Sequence, residues 1–255
     1  MTGLEEVVIR TAALTLANIF SQVFWQGSDR FLQWLKKHSD GEARRIIAKA
    51  SEKYVHHYSD RHGILKVLGM REPVPLESVY TTVKFLDRSE VRRFESIESL
   101  ESAYRQKSGR SFQSATRPRR EGIQVANHQP FLMVLGSPGA GKSTFLRKIG
   151  LEALKGKNGA YEHECIPVLL ELKSLNGKIE NAITQEFRIC GLPCADEATL
   201  HLLEAGKLLI LFDGLDEIPI KNLNDAIQQI QSRTRRSSIF VFAFDTARIP
   251  DGSTH

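Results

Sequence analysis

The chain has 255 residues, 41% of them hydrophobic and 25% charged, with 13 Phe, nine Pro and 18 Gly. That is apolar material for one large domain or two small ones, and it excludes disordered, collagen-like and low-complexity chains. Net charge is +5, and three cysteines (Cys165, Cys190, Cys194) are too few and of the wrong parity for a disulfide framework, so reduced intracellular thiols are expected.

No targeting or spanning segment is legible. Glu5 and Glu6 stand where a signal peptide needs basic residues. The apolar stretch 12–25 is shorter than the ~20 residues of a membrane-spanning helix, and Asn18 and Gln22 interrupt it. A cytoplasmic protein without membrane partners is expected.

In chain order, Ile9, Ala13, Leu16, Phe20 and Val23 recur at spacings of four and three and predict a helix over 4–25, ended by Gly27. Ser28 and Asp29 read as the cap of a second helix, with Phe31, Leu32 and Leu35 inward. A third, over 42–62, places Ala43, Ile46, Ile47, Ala50 and Tyr54 on one face and stops at Gly63. Three amphipathic helices with short connections predict a small helical N-terminal domain over 1–70. His56 and Asp60 in the third helix stand one turn apart, as metal ligands can, but no partner motif accompanies them and a polar helix face is the simpler reading. Cys190 and Cys194 likewise lack the second ligand pair of a zinc site.

Residues 71–120 read as a connecting segment. Its stretch 79–85 is β-branched and aromatic and predicts a short strand, and 90–104 is helical and highly charged. Between Arg105 and Arg120 lie six basic residues (Arg105, Lys107, Arg110, Arg117, Arg119, Arg120) and no acid. Such a run can meet nucleic acid or an acidic partner. With Phe112 the single aromatic among Ser, Gly and Gln, a solvated linker is favoured.

From about residue 121 strands and helices alternate: apolar runs at 131–135, 166–172, 208–212 and 239–244 are separated by helical patterns at 142–154, 179–189 and 223–233. An α/β domain with a parallel sheet flanked by helices is expected over 121–255. Between the first of these strands and its helix lies Gly136-Ser137-Pro138-Gly139-Ala140-Gly141-Lys142-Ser143-Thr144, matching G-x-x-x-x-G-K-[ST] at every defined position. Glycines let successive amides turn toward a β-phosphate at a helix N-terminus. Lys142 can reach the β- and γ-phosphates, and the Ser143 hydroxyl suits Mg²⁺. The third strand runs into Asp213-Gly214-Leu215-Asp216-Glu217. A carboxylate at the C-terminal tip of a parallel strand meets a ligand in the crevice of such a sheet. Asp213 thus reads as the magnesium acid, with Asp216 or Glu217 placed to orient the attacking water.

The pairing of the glycine-rich loop with Asp213-Gly214-Leu215-Asp216-Glu217 resembles the NACHT branch of the signal-transduction (STAND) P-loop NTPases. Residues 119–125 followed by 131–135 are similar to the approach to the loop in prokaryotic members, and 76–87 resembles the region preceding the domain in bacterial relatives. The resemblance covers about residues 117–248. It implies an ATP/ADP-driven switch with Mg²⁺, in which ATP exchange permits self-association and signalling to protein partners; bacterial relatives often serve antiviral defence. It also lays Thr246-Ala247-Arg248 on the family's sensor, whose arginine addresses the γ-phosphate, although Asp245 disturbs the register. Family members continue with a fifth strand, a lid, a winged helix and a sensor array, which do not fit in the seven residues after Arg248. The sequence therefore reads as C-terminally truncated, with nucleotide binding more secure than efficient hydrolysis.

The Asn/Thr-Lys-x-Asp segment that reads guanine is missing, so ATP is expected, with Ile123 and Val125 near the base by position. Two alternatives stay open: a DNA-linked AAA+-like ATPase using the basic linker, and a nucleotide- or partner-binding module without turnover.

Overall fold

The computed structural model describes residues 3–25, 29–65, 72–85, 120–175, 177–214 and 239–245. The predicted helix at 223–233, the helical stretch 90–104 and the basic run 105–119 lie outside the described residues.

The chain opens with α1 (Gly3–Trp25), α2 (Asp29–Leu35) and α3 (Asp40–His62). In α1 the buried side chains are Ala12, Ala13, Leu16, Ile19, Phe20 and Val23, one stripe of helical period. In α2, Phe31 is fully buried and stacks on Trp34 at 5.2 Å between centroids. Leu32, expected inward, is instead 43% exposed; in so short a helix the sequence leaves the inward face ambiguous. α3 begins at Ser39, whose Oγ accepts from the Glu42 N–H at 3.3 Å, with Asp40 and Glu42 complementing the positive end of the helix. It closes at Gly63, whose N–H donates to Ser59 O at 2.7 Å.

Two small antiparallel pairs follow: β1 (Ile64–Leu65) with β2 (Val74–Pro75), and β3 (Lys84–Phe85) with β4 (Arg120–Glu121). The strand expected over 79–85 is pared down to β3. Upstream of it, α4 (Leu76–Val79) forms a single turn, seeded by Pro75 and closed by the Ser78 hydroxyl donating to Pro75 O at 2.7 Å.

α5 (Gly122–His128) leads into β5 (Phe131–Gly136), then α6 (Lys142–Leu154), β6 (Ile166–Glu171), α7 (Ile179–Ile189), α8 (Ala195–Glu204), β7 (Leu208–Asp213) and β8 (Ile239–Asp245). The four long strands form one parallel sheet in the order β5-β8-β7-β6. The last strand among the described residues thus enters the sheet between β5 and β7, parting the two strands that carry the loop and Asp213. β7 is buried from Leu208 through Phe212, as a strand covered on both faces must be. α8 has no counterpart in the sequence reading. It starts after Cys194, which holds a left-handed conformation (φ 49°), and Thr184 on α7 donates to Thr199 on α8 at 3.0 Å.

The N-terminal helices share a continuous buried cluster with the sheet and its helices. Tyr54 on α3 donates its hydroxyl to Pro167 O on β6 at 2.7 Å, Phe20 on α1 meets Phe187 on α7 edge-to-face at 5.5 Å, and Arg61 pairs with Glu186 at 2.8 Å.

Candidate nucleotide site

The glycine-rich loop joins β5 to α6, as its place between an apolar run and an amphipathic helix requires. Gly139 (φ 76°) and Gly141 (φ 83°) hold left-handed conformations that side-chain-bearing residues avoid. Gly141 caps α6, and no heavy atom lies within 4 Å of where a Cβ would stand at either glycine. The loop is stitched by Ala140 N–H to Ser137 O at 3.1 Å and Phe145 N–H to Gly141 O at 2.8 Å. Lys142 Nζ donates to the carbonyls of Gly136 at 2.6 Å and Ser137 at 2.7 Å, so its ammonium lies over the loop.

Asp213 ends β7 on the same rim. Ser143 Oγ donates to Asp213 Oδ1 at 2.8 Å, which brings together residues seventy positions apart. A hydroxyl and a carboxylate at a sheet's C-terminal edge are the hard oxygen donors that Mg²⁺ prefers, so this pair fits the ion the loop motif implies. Gly214 follows with φ 76°, turning the chain away from the strand. Asp216, Glu217 and Arg248 lie outside the described residues. Ser137, Pro138, Ala140 and Thr144 stand with Lys142 in the loop and the first turn of α6.

Packing fixes where α6 presents this loop. Phe145, Leu146 and Ile149 are fully buried, each stabilising the helix's seat by about 1.5–3 kcal/mol. Gly122 on α5 lies so close to Phe145 that a methyl there would overlap its ring, and Phe85 meets the same ring edge-to-face at 5.1 Å.

At the far end of α6, Glu152 accepts from Lys148 at 2.7 Å, Lys155 at 2.9 Å and the Ala160 N–H at 2.7 Å. Burial raises the Glu152 carboxyl, but these hydrogen bonds outweigh it and bring the pKa down to about 2. Lys148 and Lys155 also reach Glu77, tying α4 to α6. On the remaining side Tyr58 of α3 lies against Gly150, close enough that a Cβ there would stand 2.8 Å from Tyr58 Cζ.

These contacts escape sequence reading, because nothing in the sequence pairs Glu77, Tyr58 or Gly122 with its partner; a glycine inside a good helix, Gly150, is the one signal of close approach.

Two histidines of α3 meet neighbouring side chains: His57 Nε2 lies 3.3 Å from Glu186 Oε2, and His62 is buried beside Tyr58. Among the described residues no group of three or more His, Cys, Asp or Glu could hold a metal ion, and no helix is long and apolar enough to cross a membrane.

No curated protein matches the chain. Residues 131–241 match the family model described as NACHT domain, a span that opens at the first residue of β5 and takes in the loop, the Ser143–Asp213 pair and the start of β8. Strand, glycine-rich loop, helix and acid-tipped strand thus all fall within a segment that is similar to the NACHT domain, and the match is consistent with a nucleotide-binding P-loop NTPase unit there.

Proposed function

We propose that the chain binds Mg-ATP at the loop 136–144 and works in the cytoplasm as a nucleotide-dependent signalling switch, of the kind bacterial defence proteins use. The 2.8 Å bond from Ser143 to Asp213 carries this reading, because it joins the two halves of the motif on one rim. Lys142 would exchange the carbonyls of Gly136 and Ser137 for β- and γ-phosphate oxygens. Loop amides and the α6 N-terminus add positive potential toward the same charge. Ser143 and Asp213 would hold Mg²⁺, which when bound offsets phosphate charge. Asp216 or Glu217 would orient the attacking water, and Arg248 would address the γ-phosphate. Adenine is preferred over guanine. The switch reading is supported by α3, which packs on the helix that starts at the loop, so a shift of α6 on nucleotide exchange is felt by the N-terminal helices. ATP exchange would then permit self-association or a protein partner.

Calorimetric titration of the full chain with Mg-ATP, against Mg-GTP, tests the site. Saturable ATP-selective binding is expected, with Lys142→Ala losing it and Asp216→Asn keeping it while turnover falls. Unchanged affinity in Lys142→Ala overturns the assignment.

A further inference from the structure

One face of the sheet carries more of the site than the two motifs name. Leu211 Cδ1 lies 3.1 Å from the position a Cβ on Gly150 would take, so Leu211 on β7 points at α6. Asp213, two residues on, points the same way, as its bond to Ser143 at the start of α6 requires. In the parallel β6–β7 pair the register partner of Leu211 is Leu169, and that of Asp213 is Glu171. Register partners project to the same face, and neighbouring strands stand about 4.8 Å apart. Glu171 therefore rises beside Asp213, on the α6 face and at the same height on the C-terminal rim.

Two carboxylates placed as direct neighbours across strands repel each other. Among the described residues, Lys173 Nζ lies 3.7 Å from Glu171 Oε2, with both side chains well exposed, at 58% and 40%. A contact that long and that solvated offsets little. A divalent cation beside Asp213 would turn the repulsion into attraction. Such an ion keeps several of its waters, and an outer carboxylate that accepts from them fixes their orientation. The simpler reading, a strand-end glutamate leaving for solvent, explains its exposure but assigns no role to its register with Asp213.

We propose that Glu171 is a positioning residue of the nucleotide site, accepting hydrogen bonds from the water shell of a divalent cation held by Ser143 and Asp213 and so setting that cation's affinity. The inference rests on the reading of the site as one for Mg-ATP.

The test is ATP affinity of the full chain, measured calorimetrically in EDTA and across a Mg²⁺ series, for the unaltered protein, Glu171→Gln and Glu171→Asp, with thermal midpoints recorded alongside. Glu171→Gln is expected to need about 10-fold more Mg²⁺ for the same gain in ATP affinity. Its affinity in EDTA and its thermal midpoint should not fall, since the change also relieves the repulsion with Asp213, and Glu171→Asp should recover part of the Mg²⁺ response. An unaltered Mg²⁺ response in Glu171→Gln overturns the inference alone. So does an equal loss with and without Mg²⁺, which marks a structural role. Absence of Mg²⁺-dependent binding by the unaltered chain overturns both this inference and the Mg-ATP reading.

Discussion

Gly150→Ala probes the packing that ties the N-terminal helices to the loop helix. On helix propensity alone the change should stabilise α6 by about 1 kcal/mol. The structure predicts the reverse. The new methyl would stand 2.8 Å from Tyr58 Cζ and 3.1 Å from Leu211 Cδ1, and closer still to the Tyr58 hydroxyl, where ordinary contacts are about 3.5–4.0 Å. Tyr58 cannot swing aside, since it is buried, tilted on His62 at 4.6 Å and next to Tyr54 at 6.3 Å. Forcing a methylene-sized group into a packed site costs about 1–3 kcal/mol, and contacts this short put the cost at about 2–3 kcal/mol, so the net loss is about 1–2 kcal/mol after the propensity gain. For a chain of this size that lowers the thermal midpoint by about 2–8 °C. Tyr58→Phe removes a hydroxyl that has no hydrogen-bond partner among the described residues, so by itself it should be neutral or stabilising. In the Tyr58→Phe background the Gly150→Ala penalty should shrink by about 1 kcal/mol, which a thermal-unfolding double-mutant cycle reads directly. A stabilised Gly150→Ala protein, or strict additivity with Tyr58→Phe, would refute the packing argument.

Acid should destabilise the fold through His62 before it reaches the carboxylates. Burial, then the charges of Arg61 and Arg147, push its imidazole from 6.5 down to about 3, so the unfolded chain binds the extra proton between those values. The stability this confers is complete above pH 6.5 and is lost as pH falls, at a slope of at most about 1.4 kcal/mol per pH unit. Glu152, lowered from 4.5 to about 2, adds a second loss below pH 4.5. Thermal midpoints between pH 6.5 and 4.5 should flatten in His62→Gln, and an unchanged slope there would count against the assignment. Burial also pushes the Cys165 thiol up to about 12 and Cys190 up to about 11, whereas Cys194 is partly exposed. A thiol reagent at pH 8 should label Cys194 first in the native protein and Cys165 only on unfolding, as followed by mass spectrometry; prompt labelling of Cys165 would contradict its burial.

Much of the local structure was legible. The apolar runs at 131–135, 166–172, 208–212 and 239–244 all became strands; β6 and β7 are buried almost throughout, whereas Phe131, Met133 and Leu135 of β5 stay exposed. The helices at 142–154 and 179–189 have the bounds their periodicity predicts. Two elements differ from the sequence reading, each for its own reason. Residues 79–85 have strand propensity, but only Lys84 and Phe85 find a partner strand, and pairing rather than propensity decides. α8 was overlooked because Cys194, not glycine, takes the left-handed turn before it.

By itself the sequence marked the loop and the acid: Gly139 and Gly141 stand where the backbone turns left-handed, and Lys142, Ser143 and Asp213 stand at the defined positions of the two motifs. Only the tertiary structure decided that β8 lies between β5 and β7, that Ser143 and Asp213 meet at 2.8 Å, and that Glu171 stands in register with Asp213. It also decided that α3 presses Tyr58 onto Gly150, so that the N-terminal helices bear on the loop helix. The physical reason is range: propensity, caps and phosphate loops act within a few residues of the chain, whereas strand order, register and helix seating are settled by burial among residues far apart in sequence.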